Sequence, residues 1–145
     1  MDFFTAMDVS SSALTAERTR MNLISSNLAN ANSTKTAEGG PYKRKDVVFS
    51  ASPVAEPFSD ALRRANRKGP AGVEVVQITE DKNPPRMQYD PSHPDADARG
   101  YVALPNVNVI EEMADMISAT RAYEANVTAA QAAKNMALKT LELGR

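Results

Sequence analysis

The chain has 145 residues, a formal net charge of −1, 42% hydrophobic and 24% charged residues, and no cysteine. These values suit one compact domain or a shorter domain with extensions. They exclude disulfides, thiol catalysis and Cys-ligated metals, and they argue against a dedicated nucleic-acid binder.

The first segment reads as helix. Neither Pro nor Gly occurs before Gly39, and these are the residues that break helices. Phe4, Met7, Ser11, Leu14, Arg18, Met21, Ser25 and Leu28 follow alternating steps of three and four, flanked by Phe3 and Ile24. That spacing keeps one seam facing a partner helix, as in coiled coils, and predicts a helix from about Asp2 to Asn30. The acidic start Met1-Asp2-Phe3-Phe4 lacks the basic start and apolar core of a cleavable secretory signal, and no apolar run is long enough to span a bilayer.

The middle, residues 35–107, holds all nine prolines and five of the six glycines. Its content of Leu, Ile, Val and Phe is too low for an independent core. Short strands are predicted at Lys45–Ser50, Gly72–Thr79, Met87–Tyr89 and Tyr101–Leu104. In the second, Val73 and Val75 share one face while Val76 and Ile78 share the other, which suggests a bulge or twist. The stretch 50–72, with Arg63-Arg64 and Arg67-Lys68, reads as a mobile loop.

The last segment, 108–145, is again helical. Asn108 is placed to cap it, with Glu111 three residues on as a capping-box partner. Its stripe runs Met113, Met116, Thr120, Tyr123, Val127, Ala130, Lys134, Ala137 and Leu141, widened by Ile110, Ile117 and Leu138. Acidic Glu111, Glu112 and Asp115 lie early and Lys134, Lys139 and Arg145 late, complementing the helix dipole. The fold class expected is mainly α. Long terminal helices would pair in a coiled-coil-like arrangement around an irregular middle with short β-strands.

Little chemistry stands out. Asp90, His93, Asp95 and Asp97 could offer oxygen ligands to Ca²⁺, but EF-hand spacing is absent and such clusters usually form turns. His93 has no serine motif to serve as a triad member. The basic runs Lys43-Arg44-Lys45 and Arg63–Lys68 are too short to signal nucleic acid. No phosphate loop, Rossmann fingerprint or zinc spacing occurs. No catalytic residue, cofactor or metal is expected. The alternatives are a structural assembly subunit and a Ca²⁺-dependent or helical adaptor binding module.

One resemblance decides between them. Ser26-Asn27-Leu28-Ala29-Asn30-Ala31-Asn32-Ser33-Thr34 resembles the motif that bacterial flagellar rod and hook proteins share at the end of their first helix. Three further stretches narrow the match to proximal rod proteins: Gly40-Pro41-Tyr42-Lys43-Arg44-Lys45, Tyr89 to Asp97 with Asp90, Pro91, His93 and Pro94, and Gly100-Tyr101-Val102…Pro105-Asn106. Glu112-Met113…Arg121-Ala122-Tyr123-Glu124 continues it, so the likeness covers nearly the whole chain in order. It implies a subunit that polymerises helically into the hollow, periplasm-spanning rod, which transmits torque and lets export substrates pass. The terminal helices, 1–34 and 108–145, would form the inner tube. Its implied partners are other copies, the other proximal and distal rod proteins, the rod–export-gate adaptor and the flagellar type III export apparatus. Neither nucleic acid nor membrane insertion is implied. The expected interface residues are Phe4, Met7, Leu14, Met21, Ile24, Leu28, Met113, Met116, Ile117, Tyr123, Val127, Leu138 and Leu141. The resemblance also gives His93 a place in a structural turn.

Overall fold

The computed structural model describes residues 3–37, 39–53 and 71–143. Helix α1 covers Phe3–Ala29, strands β1 and β2 cover Lys45–Pro53 and Ala71–Glu80, β3 and β4 cover Arg86–Tyr89 and Tyr101–Leu104, and α2 covers Val109–Leu143. Most of the expected loop, including Arg63–Lys68, lies outside the described residues.

The serines and threonines inside α1 are accommodated by bonding back to their own helix. Ser10, Thr15 and Thr19 hydroxyls donate to the carbonyls of Ala6, Ser11 and Thr15 at 2.9–3.1 Å, which satisfies them at some cost in helix strength. The Asn-rich motif builds the end of the helix. Asn30 donates to the Ser26 carbonyl through both its backbone N–H and its side chain. Asn108 Oδ1 accepts the Ile110 N–H at 3.1 Å and so caps α2.

All four predicted strands are present, paired as two antiparallel two-stranded sheets, β1–β2 and β3–β4. In the second, Arg86 faces Leu104, Met87 faces Ala103, Gln88 faces Val102 and Tyr89 faces Tyr101. In β2, Val73 and Val75 are half-buried, whereas Val76 and Ile78 are exposed.

The mainly α expectation is therefore corrected. Helix accounts for about half of the described residues, α1 is the shorter helix at 27 residues against 35, and the middle forms two ribbons rather than an irregular segment. Composition misled here. The middle has too few aliphatic residues for a core of its own, but hydrogen bonds from α1 hold its strands. The coiled-coil-like seam is corrected too. The buried positions of α1 are Ala16, Ile24 and Asn27, one of them an amide. The expected stripe through Phe4, Met7, Ser11, Arg18 and Ser25 is exposed. At about 100° per residue, those two faces are nearly opposite.

The chain divides into two compact units. One comprises residues 1–19, 48–77 and 120–145, and the other Arg20–Val47 and Ile78–Ala119. In the first unit, Ser12 Oγ accepts the Val73 N–H at 3.1 Å and donates to the Val9 carbonyl at 2.8 Å. Gly72 makes this approach possible, because a Cβ there would lie 2.8 Å from Ser12 Oγ. Gly72→Ala should cost about 1–3 kcal/mol through forced repacking, measurable as a lower urea midpoint with an unchanged m-value. In the second unit Ile24, Ala31, Val102, Leu104, Pro105, Val107 and Ala119 are buried, and the end of α1 lies against the start of α2, with Arg20 beside Asp115 and Asn27 beside Glu112.

Candidate functional site

The second unit is organised around the side chain of Asn27, which is 1% exposed. Its position on the buried face of α1 brings it against the residues that enter β1. Its Nδ2 donates to the Lys45 carbonyl at 2.8 Å and to Glu112 Oε2 at 3.0 Å. Its Oδ1 accepts from the Lys45 N–H at 2.9 Å and from the Tyr42 hydroxyl at 3.0 Å. That uses the full capacity of an amide, two donors and two acceptors. The pair of hydrogen bonds to the Lys45 backbone imitates a neighbouring strand, which is how β1 is anchored at its first residue.

Glu112, also 1% exposed, carries the buried negative charge. Its second oxygen accepts from Arg44 Nε. Arg44 in turn reaches Asp46 at 3.4 Å and Asp115 at 3.9 Å, and Asp115 meets Arg20 at 3.7 Å. Burial by itself would lower the Arg44 pKa. The hydrogen bond and charge of Glu112, with Asp46, outweigh that and hold it above the ordinary arginine value. The Arg44 carbonyl accepts the Asp81 N–H at 2.8 Å. One cluster thus fastens the end of α1, both strands of the first sheet and the first turn of α2. A buried charge so placed costs several kcal/mol when stripped of its partner.

The hairpin β3–β4 is closed by the Asp90–Gly100 turn, and each of its carboxylates has local work. Asp90 Oδ1 accepts from the Ser92 N–H and hydroxyl at 3.2 and 2.7 Å. Asp97 Oδ1 accepts from the Arg99 and Tyr101 N–H groups at 2.8 and 2.9 Å. Asp95 Oδ2 takes the Thr34 hydroxyl at 2.8 Å, and His93 Nδ1 accepts the Asp95 N–H at 3.1 Å. Gly100, at φ +80°, sits where a Cβ would crowd Tyr89 and Pro91 at 3.0 and 3.1 Å. Asp90, His93 and Asp97 thus serve as acceptors within the turn and Asp95 ties the turn to Thr34, and no metal-like group forms among the described residues. The Ser92 hydrogen bonds hold Asp90 below the usual carboxylate range. Their contribution is therefore complete above the unfolded pKa of about 4 and fades as pH falls through the lower folded value. A ¹⁵N-resolved pH titration should show the Ser92 amide shifting with a midpoint below that of an ordinary Asp carboxyl.

The expected interface residues separate by exposure. Phe4, Met7, Met113, Ile117, Leu138 and Leu141 are exposed; Leu14, Met21, Leu28, Met116, Tyr123 and Val127 are half-buried; Ile24 is buried within this chain. Among the motif residues, Asn27, Tyr42 and Asn30 belong to the hydrogen-bonded framework, and Pro105 is fully buried. Leu28 is half-buried and Ala29 exposed, Pro41 lines a shallow surface groove with Thr36 and Lys43, and Asn106 reaches Asp81 at 3.4 Å. Asp90, Pro91, His93, Pro94 and Tyr101 build or flank the hairpin turn.

Reading the sequence alone missed buried Glu112 and its half-buried partner Arg44. The available signal was position. Ile24, Asn27 and Ala31 recur at steps of three and four, so an amide on that face had to find internal partners.

The first turns of α2 are two-faced. Glu112 and Ala119 are buried at 1% and 0%, while Ile110, Met113 and Ile117 are 79%, 55% and 56% exposed. At about 100° per residue Ile110 and Ile117 lie nearly opposite Glu112 and Ala119, with Met113 at the edge of the exposed face. Ile110, Met113 and Ile117 thus leave apolar area uncovered among the described residues. No described helix is long and apolar enough to cross a membrane.

Comparison with known proteins gives a concordant result. Residues 7–35 match the family described as flagella basal body rod protein, and residues 98–143 match the flagellar basal body rod FlgEFG protein C-terminal family. The chain is 47% identical to the flagellar basal-body rod protein FlgC of Bacillus subtilis over the full length of both. It is 44% identical to that of Borreliella burgdorferi, covering 94% of this chain and 93% of the relative. The FlgC of Escherichia coli O6:H1 is 42% identical, again over the full length of both chains.

Proposed function

The chain belongs to the FlgC family of flagellar basal-body rod proteins, and from that premise we propose how it serves as a structural subunit of the proximal rod. It assembles with other flagellar rod components. The observation that carries the mechanism is the two-faced α2. Its inner face is closed by the Asn27–Glu112–Arg44 cluster, and its outer face of Ile110, Met113 and Ile117 is left for neighbours.

Exposed Phe4, Met7, Leu138 and Leu141 are further interface residues of the terminal helices, as are half-buried Leu14, Met21, Leu28, Met116, Tyr123 and Val127. Ile24 falls on the inner side. The helical ends form the inner tube and the strand-bearing middle meets adjacent subunits. Neighbouring copies, the distal rod and the rod–export-gate adaptor are its contacts in a periplasm-spanning, torque-bearing shaft, and the flagellar type III apparatus delivers it. The reading assigns it no reaction and no cofactor.

Deleting this chain from its own bacterium and purifying basal bodies tests the reading. Rings without a completed rod or hook are expected, with motility restored by the intact chain. Complete rods in the deletion strain would refute it.

A further inference from the structure

We propose that copies of this chain join edge to edge through their sheets: the free backbone edge of β3 in one copy pairs with the free backbone edge of β2 in a second copy. The proposal rests on the rod reading and names one contact within it.

Each sheet has only two strands, so every strand has an outer edge, and the four edges are not alike. On β1, Asn27 takes both backbone groups of Lys45, and the Val47 N–H donates to Asp46 Oδ1 at 2.8 Å. On β4, Asp97 takes both backbone groups of Tyr101. Its Oδ1 accepts the Tyr101 N–H at 2.9 Å, and its own N–H donates to the Tyr101 carbonyl at 2.8 Å. Caps of this kind keep an edge from pairing with another chain. The other two edges lack them. The Asp90 N–H donates to the Gly100 carbonyl, so by alternation the backbone groups of Met87 and Tyr89 point out of the β3–β4 ladder. Among the described residues nothing bonds them. Past the Val73 N–H, which Ser12 takes, nothing outside its own ladder bonds the backbone of β2 either.

The side chains on the two free edges agree. Val76 and Ile78 on β2 are 63% and 48% exposed, and Met87 and Tyr89 on β3 are 53% and 64% exposed. An uncapped edge that carries apolar side chains is a template for another strand. The occupant follows from symmetry. Pairing of like edges is isologous and ends at two copies, whereas β3 against β2 is heterologous and repeats along a filament. Set antiparallel with Met87 opposite Ile78, the pairing brings Tyr89 opposite Val76. All four exposed side chains then share one face as cross-strand pairs. The four residues of β3 span about 13 Å, a contact below that of a stable dimer. It therefore forms only where other rod contacts already hold the copies.

The chain has no cysteine, so an introduced pair reports cleanly. An Ile78→Cys/Met87→Cys chain, assembled in its own bacterium and mildly oxidised in purified basal bodies, should give a ladder of same-chain dimers and larger species. Each single variant should stay monomeric on the gel. Dimers from Met87→Cys alone, no same-chain product, or a product with a different rod protein would overturn the contact and leave the rod reading standing. Absence of the intact chain from basal bodies would sink the rod reading itself. If the cysteine pair blocks assembly, the backbone decides. The Met87 N–H lies outside its own ladder, so Met87→Pro should leave the thermal melt in place and abolish motility, while Met87→Ala still swims. Swimming by the proline variant, equal loss with alanine, or a collapsed melt showing that this N–H is not free would each overturn the proposal.

Discussion

Replacing Asn27 by Ala should destabilise the folded chain by about 3–5 kcal/mol, the largest effect expected from any single polar truncation. The change removes four hydrogen bonds at once: two to the Lys45 backbone, one to Tyr42 and one to Glu112. Each buried group left unpaired costs about 1–3 kcal/mol, and the losses are not fully additive because the groups share one cavity. Glu112 suffers most, since it keeps its charge and its burial but loses a donor. Against a total stability of about 5–15 kcal/mol, such a loss leaves little margin. Glu112→Ala should cost less, because it leaves one Asn27 amide donor unpaired while half-buried Arg44 keeps Asp46 and Asp115. The double variant should cost clearly less than the sum, because the two side chains serve one network. Glu112→Gln is informative in a different way: with its oxygen kept toward Arg44 Nε, its amide nitrogen would face the Asn27 donor. Urea titration of the four proteins closes this cycle. A loss below 1 kcal/mol for Asn27→Ala would contradict the role assigned to it.

Ile110→Asp and Ile117→Asp should do the reverse, abolishing assembly while leaving the monomer almost untouched. Both side chains are more than half exposed, and substitutions at such positions usually change stability by no more than about 0.5 kcal/mol. A carboxylate at position 110 even lies in the first turn of α2, where the helix dipole favours it. In the rod, however, the same charge would be buried against apolar neighbours without a counter-ion. Loss of swimming with an unchanged thermal melt is therefore expected for both. Ile24→Asp is the contrasting case. That position is 5% exposed within the chain, so the melt itself should collapse. If Ile110→Asp and Ile117→Asp swim normally, the outer face is not an interface.

How much of this was legible in the sequence depends on which force set each feature. The two helices were readable because proline and glycine are excluded from both ends, and the four strands because β-branched and aromatic runs sit between turn residues. The weight given to the strands was wrong because it came from counting aliphatic residues. β1 is anchored by an asparagine amide and β2 by a serine hydroxyl, and such polar anchors leave no trace in hydrophobic content. The helix faces were half legible. Following a strict step of 3.5 along α1 drifts away from the 3.6-residue repeat, and it selected Phe4, Met7 and Ser11, on the side opposite Ala16, Ile24 and Asn27. Along α2 the same drift carried the stripe from the outer face at Met113 to Met116 and Thr120, between the inner and outer faces. The Asp-rich turn was identifiable as a turn, because its Pro and Asp spacing speaks directly to backbone geometry. The Arg44–Glu112 pair was not readable, since 68 residues separate its members and no local pattern couples them.

The central claim is that the outer apolar face of α2 is exposed in the single subunit and covered in the rod. The most direct test is a cryo-EM map of the isolated basal body at side-chain resolution, in which this chain is traced within the proximal rod. The account predicts Ile110, Met113 and Ile117 packed against a neighbouring subunit, with Asn27 still bonded to Glu112 and Lys45 inside its own chain. A map in which those three side chains face solvent or the lumen, with no neighbour within contact distance, would contradict it.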